Sequence, residues 1–298
     1  MIGGDTMWWE ALVNAIDRQR WLDRPGKALR GAVGTGLARG GPAGRWLKNA
    51  LHGTWLGHPL HPVLTDVPLG AWTAVTVLDA AEVFSGRHRL RSGADAILGV
   101  GLAAAVGAAA SGLNDWQHTR GRPSRIGVVH GCLNLSATLL YATSLWCRRN
   151  RARGAGQALG FVGYALAFAA AYLGGHLVYG ERIGVDHAIR EGLPRNFVPV
   201  LPEAELEEGK PRRVVAGEVP IVLVRCGSQI YALGETCPHL GGPLAQGTLS
   251  DCSITCLWHG SRFALEDGRV LDGPATYPAP RLEVRVQDGQ VEVRAARA

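Results

Sequence analysis

Six cysteines in 298 residues are too few to staple a chain of this length, so a disulfide-built scaffold is not expected. Cys132 and Cys147 sit near the ends of an apolar run and read as small core residues. Cys226, in an expected strand, reads the same way. Charge is nearly missing from long stretches before residue 179. The net charge of +6 comes without the basic–aromatic interleaving of a strand binder, so nucleic acid is not an expected partner. The pattern Gly34-x-Gly36-x-x-x-Gly40 has no strand ahead of it, which argues against a nucleotide fold. The opening "MIGGDTMWWEALVNAIDRQRW" has no short apolar run behind basic residues and no twin arginine. It reads as lacking an export signal. Asp186-His187 and Asp115-x-x-His118 are only fragments of a 2-His-1-carboxylate iron site, so a self-contained oxygenase is not expected.

What is present falls into two unlike halves. Up to about Tyr179 the chain runs in Ala, Leu, Val and Gly. From about Pro194 it is polar, rich in Val and punctuated by Pro and Gly. Four apolar segments, 63–84, 93–113, 128–147 and 158–179, each have the length that spans a hydrocarbon core of ~30 Å as a helix. They mostly lack the polar face of a soluble helix. The rows Ala103, Gly107, Ser111 and Gly163, Ala167, Ala171, Gly175 suggest close packing through small residues. Ahead of them, Trp9, Leu12, Val13 and Ile16 share one helical face; with Trp8 and Trp21 they suggest an interfacial helix. In the second half, "VPIVLVRCGSQIYALGE" reads as two strands about a Cys226–Gly227–Ser228 turn. "RLEVRVQDGQVEVRA" reads as a hairpin about Asp288–Gly289. The expected architecture is multidomain: an interfacial extension (1–50), an α-helical membrane bundle of four transmembrane helices (51–190), and an all-β domain (195–298).

An even number of spans puts both chain ends on one side of the membrane. His58, His61, Asp115, His118, His130 and His176 all fall near that side, while the basic loops "GRHRLR" and "RRNRAR" lie on the other. Arg and Lys are balanced across the two sides, so the positive-inside rule does not orient the bundle. The lack of an export signal favours the β domain in the cytoplasm, on a bacterial inner membrane.

The most specific pattern is Cys237-x-His239 followed, after sixteen residues, by Cys256-x-x-His259. Two Cys and two His could hold zinc tetrahedrally or a Rieske [2Fe–2S] centre, with two Cys on one iron and two His on the other. Zinc modules usually pair like with like. Here each arm carries one Cys and one His, which favours the two-iron cluster. "CPHLGGPL" and "CLWHGSRF" resemble the cluster loops of Rieske proteins, and "GRVLDGPATYPAPRLEVRVQDGQVEV" resembles the end of that fold. The resemblance covers about 195–298. It implies Cys237 and Cys256 on the buried iron and His239 and His259 on the iron near the tip. Cys252 reads as a structural bystander. Rieske subunits of cytochrome bc-type complexes carry an extra, mutually bonded Cys in each loop; Gly242 and Trp258 stand there here. The loops are thus similar to those of Rieske ferredoxins and oxygenase Rieske domains, with Trp258 and Pro274 as the expected covers. High-potential members use a Ser and a Tyr hydroxyl near the sulfurs; Ser261 and Phe263 stand at those positions.

In the first half, "GHPLHPVLTDVPLGAWTAVTVLDA", "HGCLN" and "GGHLVYGERIGV" resemble the DUF2231 family of four-helix membrane domains, a name that carries no function. The resulting expectation is a membrane-anchored carrier that passes single electrons, a component of an oxidoreductase system rather than a stand-alone enzyme. Its partners would be a redox protein or the quinone pool, and membrane lipid. A b-type haem held by His130 and His176, with His58 or His61 in place of either, is a second expected redox group. The alternative is a redox sensor whose cluster state is relayed to the helices or to a partner.

Overall fold

All four apolar segments are long helices in the computed structural model, which describes residues 8–86 and 88–296; of Trp8 and Trp9 only the backbone is described, so their expected interfacial role lies outside it. The spans are α4 (Leu60–Ser85), α5 (Arg91–Trp116), α6 (Arg122–Arg149) and α7 (Arg153–Tyr179). Each is long and apolar enough to cross a membrane. Three helices precede them: α1 (Trp8–Asp17), α2 (Asp23–Arg39) and α3 (Gly41–His52). The glycine pattern from Gly34 to Gly40 lies in and just after α2. The chain divides into two compact units: one reaches up to Gly44 and resumes over Leu60–Ile183, the other joins Arg45–Pro59 to Gly184–Ala298.

In the helical unit, α4 pairs with α5 and α6 with α7. Trp72 stacks on Tyr141 with ring centres 4.5 Å apart, and Val75, Leu98, Ala137 and Ala167 close around them. Small residues allow this, but only part of each expected row is used: Ser111, Gly163 and Ala167 are buried. Ala103 and Ala171 face outward. The close approaches are Gly101 against Trp72 and Gly163 against Tyr141, where an added Cβ would come within 2.8 and 3.2 Å. The reason is geometric: a step of four residues overshoots a 3.6-residue turn, so a row spaced by four drifts around the helix and leaves the interface. Part of the α1 face is also used inside the protein. Val13 and Ile16 pack with Leu22, Ile126 and Leu173, while Leu12 stays outside. Arg125 fastens this end by pairing with Asp17 (2.6 Å) and Asp23 (2.8 Å).

The opposite end of the bundle holds a charge network that sequence inspection missed. Arg148 on α6 makes a two-pronged pair with Asp79 on α4 and reaches Asp95 on α5 at 3.2 Å. Arg153 on α7 bonds Glu82 (2.7 Å) and Asp95 (3.1 Å). Arg91 bonds the other Glu82 oxygen at 2.5 Å. All four spans contribute.

The second unit is built on two antiparallel sheets. The larger has the order β1 (Val198–Pro202), β10 (Gln290–Ala295), β9 (Arg281–Gln287), β4 (Gln229–Gly234), β3 (Val219–Cys226), β2 (Arg212–Ala216); the smaller runs β5 (Thr248–Ser250), β6 (Ser253–Thr255), β7 (Arg262–Ala264), β8 (Val270–Asp272). Both expected hairpins form. Gly227 lies in the two-residue turn between β3 and β4 at φ 63°, and Asp288 and Gly289 turn β9 into β10 at φ 51° and 74°. Positive φ at both turn positions matches the twist of the flanking strands, which is why Asp-Gly serves there. Val222, Val224, Leu233, Leu244, Ile254, Phe263 and Leu265 form the core under the smaller sheet.

One expectation fails. Cys226 and Cys252 form a disulfide, with Cα atoms 6.1 Å apart. Cys226 is therefore not a simple core residue, nor Cys252 a bystander. They join the end of β3 to the β5–β6 turn, tying the two sheets together across 26 residues of chain.

Candidate metal centre

Two loops of the smaller-sheet region carry the four predicted ligands, and both fold by the same rule. In the first, the Cys237 N–H donates to the Gly242 carbonyl (2.8 Å) and the Gly241 N–H to the Cys237 carbonyl (2.9 Å). In the second, the Cys256 N–H donates to the Ser261 carbonyl (2.8 Å) and the Gly260 N–H to the Cys256 carbonyl (3.0 Å). Each loop closes through a glycine at positive φ, Gly241 at 77° and Gly260 at 78°, a backbone conformation that costs a side-chain-bearing residue. The spacing from Cys to Gly is four in both loops, although the His falls two residues after one Cys and three after the other.

The structure brings the four predicted ligands together. Cys237 and Cys256 are buried, 1% and 2% exposed, and their thiols share a hydrogen bond. His239 and His259 stand edge to face, ring centres 4.9 Å apart, and are half-buried. The backbone N–H groups of His239 and Leu240 point at Cys237 sulfur, and those of Trp258 and His259 at Cys256 sulfur. Hydrogen bonds to a thiolate favour its charged form. The bond from Cys237, with the two N–H donors, pulls the Cys256 thiol down to about 6, while the same bond and burial push Cys237 up. Two buried sulfurs ringed by N–H donors and two imidazoles facing each other nearer the surface suit an [2Fe–2S] cluster of mixed ligation.

Gly242 and Trp258, predicted to replace a loop disulfide, meet each other. A Cβ on Gly242 would fall 2.9 Å from Cys256 sulfur and 3.0 Å from the Trp258 ring. The indole, half exposed at 55%, lies where it ties loop to loop by packing. Gly242→Ala forces the methyl into a ligand sulfur. The expected result is a folded protein with most of its cluster lost, measured as iron and acid-labile sulfide per chain; full occupancy in the variant would refute the packing role.

Three supports were not legible in the sequence. Asn49 reaches the loop before Pro274: its Nδ2 donates to Asp272 (3.0 Å) and its Oδ1 accepts the Gly273 N–H (3.0 Å). His52 is buried beside Gly273; burial first, then Lys48, hold its pKa at about 3, so the ring is uncharged. The His187 N–H donates to the Pro238 carbonyl of the first loop (2.9 Å). These contacts come from segments far away in sequence, and no local motif marks them. Ser261 is buried, and its Oγ accepts the Ala275 N–H (2.9 Å), which leaves its own proton free to donate. Phe263, fully buried, offers no hydroxyl.

The other predicted site residues lie elsewhere. His61 and His130 face each other in the helical unit, ring centres 6.4 Å apart. His176 sits 3.4 Å from Glu181, which pairs with Arg122 at 2.7 Å. His58 belongs to the β unit, its Nδ1 against the Pro59 carbonyl.

Comparison with known proteins agrees with this geometry. The Rieske [2Fe-2S] domain model matches residues 196–287, and the model of a predicted membrane protein family, DUF2231, matches 57–187. Ferredoxin CarAc of Metapseudomonas resinovorans is 35% identical over 98 residues, 33% of this chain and 92% of its own length. The 3-phenylpropionate/cinnamic acid dioxygenase ferredoxin subunit of Escherichia coli K12 is 31% identical over 97 residues, 32% of this chain and 91% of its own. Mouse apoptosis-inducing factor 3 is 34% identical over 93 residues, and the chain spans only 15% of that protein's length. On these matches the chain belongs to the Rieske [2Fe–2S] family in its ferredoxin-type branch, carried on a DUF2231 membrane domain.

Proposed function

We propose that this protein is a membrane-anchored, one-electron carrier of low potential, serving an oxidoreductase system rather than acting alone. The observation that carries the reading is the pair of half-buried imidazoles over two buried thiols, on loops that lack the tying disulfide of the bc-type complexes. When bound, the cluster supplies reversible single-electron chemistry. The protein's part is to hold the sulfurs away from water, to donate N–H groups to them, and to present the His239–His259 edge to a partner. Leu257 and Trp258, 59% and 55% exposed, frame that edge with an apolar surface suited to brief docking. Relatives that are ferredoxin subunits of dioxygenases support a soluble protein partner. Attachment to a membrane domain supports exchange with the quinone pool or with an intramembrane b-type haem.

The test is re-oxidation. Reduced protein in native membranes is expected to lose its cluster EPR signal with turnover when an oxidant of the quinone pool is supplied. A cluster that stays reduced under turnover, yet changes the protease sensitivity of the helices, would favour the sensor reading instead.

The cytoplasmic placement of the β unit is part of the proposal, and Cys226–Cys252 tests it. A disulfide persists in oxidising compartments and is rare in the cytosol. Activity reporters at Ala298 and at His88 are expected to lie on opposite sides of the membrane, the one at Ala298 in the cytoplasm. A disulfide preserved in the cell, with the reporters exchanged, would place the unit outside.

A further inference from the structure

The two helical hairpins of the membrane unit each carry the same small device. In the first, His61 on α4 sets its Nδ1 2.9 Å from the Ala108 carbonyl of α5. Four residues after Ala108 stands Gly112, where a Cβ would be 2.7 Å from the His61 ring. In the second, His130 on α6 sets its Nδ1 2.8 Å from the Ala170 carbonyl of α7. Four residues after Ala170 stands Gly174, where a Cβ would be 3.1 Å from the His130 ring. A carbonyl can only accept, so each Nδ1 carries the ring proton and each Nε2 keeps its lone pair. An imidazole whose far nitrogen is fixed by a backbone carbonyl is the usual state of a metal-binding histidine.

The two ring planes stand at 87° to each other with centres 6.4 Å apart. A metal ion lies about 2 Å from a ligating imidazole nitrogen, which sets two rings on opposite sides of one ion roughly 6 Å apart. The pair already stands at that spacing. Asn134 sits 3.1 Å from the His130 Nε2, but its amide also donates to the His130 carbonyl at 3.0 Å. It therefore keeps a partner when a metal takes the ring nitrogen.

The number of ligands selects the kind of metal. His61 and His130 offer two ring nitrogens to an ion between them. A bare zinc ion would want four ligands. Haem iron brings four nitrogens of its own and asks the protein for two. Of the other histidines expected as haem ligands, His176 lies against the Arg122–Glu181 pair and His58 belongs to the other unit.

We propose that His61 and His130, one from each hairpin, are the axial ligands of a b-type haem inside the membrane unit. This deepens the carrier reading, and rests on it for its purpose though not for its geometry. The test uses the full chain purified in detergent from cells supplied with haem precursor. Pyridine haemochrome, the optical spectrum and the cluster EPR signal are read on one sample. The wild type is expected to hold one haem per chain. His61→Ala and His130→Ala are each expected to lose it while keeping the cluster signal, and His176→Ala to retain it. His61→Gly is expected to regain the haem band when imidazole is added, which a misfolded bundle would not do. Haem-free wild type with a full cluster signal would overturn the proposal and leave the carrier reading standing. Haem retained in both alanine variants would overturn it too. Haem present without any Rieske signal would instead sink the carrier reading and leave the haem site in place.

Discussion

Cys237→Ser is expected to abolish the Rieske EPR signal and to leave the purified chain with almost no cluster iron. The cluster binds its inner iron through thiolates, and a serine hydroxyl stays protonated at neutral pH and is a poor ligand for that iron. Burial adds to the effect: Cys237 is 1% exposed, so no water or alternative side chain can take its place. Of the other described cysteines, Cys226 and Cys252 are joined in a disulfide; Cys132 and Cys147 lie on α6 in the helical unit. His259→Ala is expected to act more gently on folding but equally on the signal, because the ring is half-buried and its loss opens the outer iron to solvent. Unchanged iron content and an unchanged signal in Cys237→Ser would remove the ligand assignment.

The second large effect is expected far from the cluster. Arg148→Met should destabilise the helical unit by about 3–5 kcal/mol, because it strands a buried carboxylate. The Arg148 side chain is fully buried and that of Asp79 is 2% exposed. Arg153 comes no closer to Asp79 than 3.8 Å, too far to replace a two-pronged pair. Charges within a membrane span are costly unless paired. Breaking one partner is expected to cost far more than removing both. The double change Asp79→Leu with Arg148→Met should therefore recover much of the loss. Thermal melting in detergent, followed by helix circular dichroism, measures both. A double variant no more stable than Arg148→Met would contradict the pairing as the source of the effect.

Much of the architecture could be read from local patterns. The four spans announce themselves because an apolar stretch without a polar face has one stable home. The Asp288–Gly289 turn is legible because few residues tolerate positive φ twice in succession. The candidate cluster residues are legible because Cys-x-His and Cys-x-x-His put both donor types within each short loop. Other features depend on where distant segments meet. Arg148 and Asp79 are 69 residues apart, and each alone looks like a helix-end charge. Cys226 and Cys252 have no spacing that announces a bond. The small-residue rows hold only in part, because a period of four is not the period of a helix: Ser111, Gly163 and Ala167 are buried while Ala103 and Ala171 drift outward. Asn49, on a helix far upstream, could be linked to Asp272 and Gly273 only by the fold.

The most direct test of the central claim is an EPR-monitored redox titration of the intact, detergent-purified protein. Hydrogen bonds to the cluster sulfurs stabilise the more negative reduced state and raise the potential. Here Ser261 can still supply one, but Phe263 cannot supply the second, and packing of Trp258 on Gly242 replaces a covalent tie between the loops. The account therefore expects a one-electron Rieske signal with a midpoint near the low end of the range, about −150 mV. A midpoint well above ~0 mV, in the upper part of that range, or no Rieske signal at all, would contradict it.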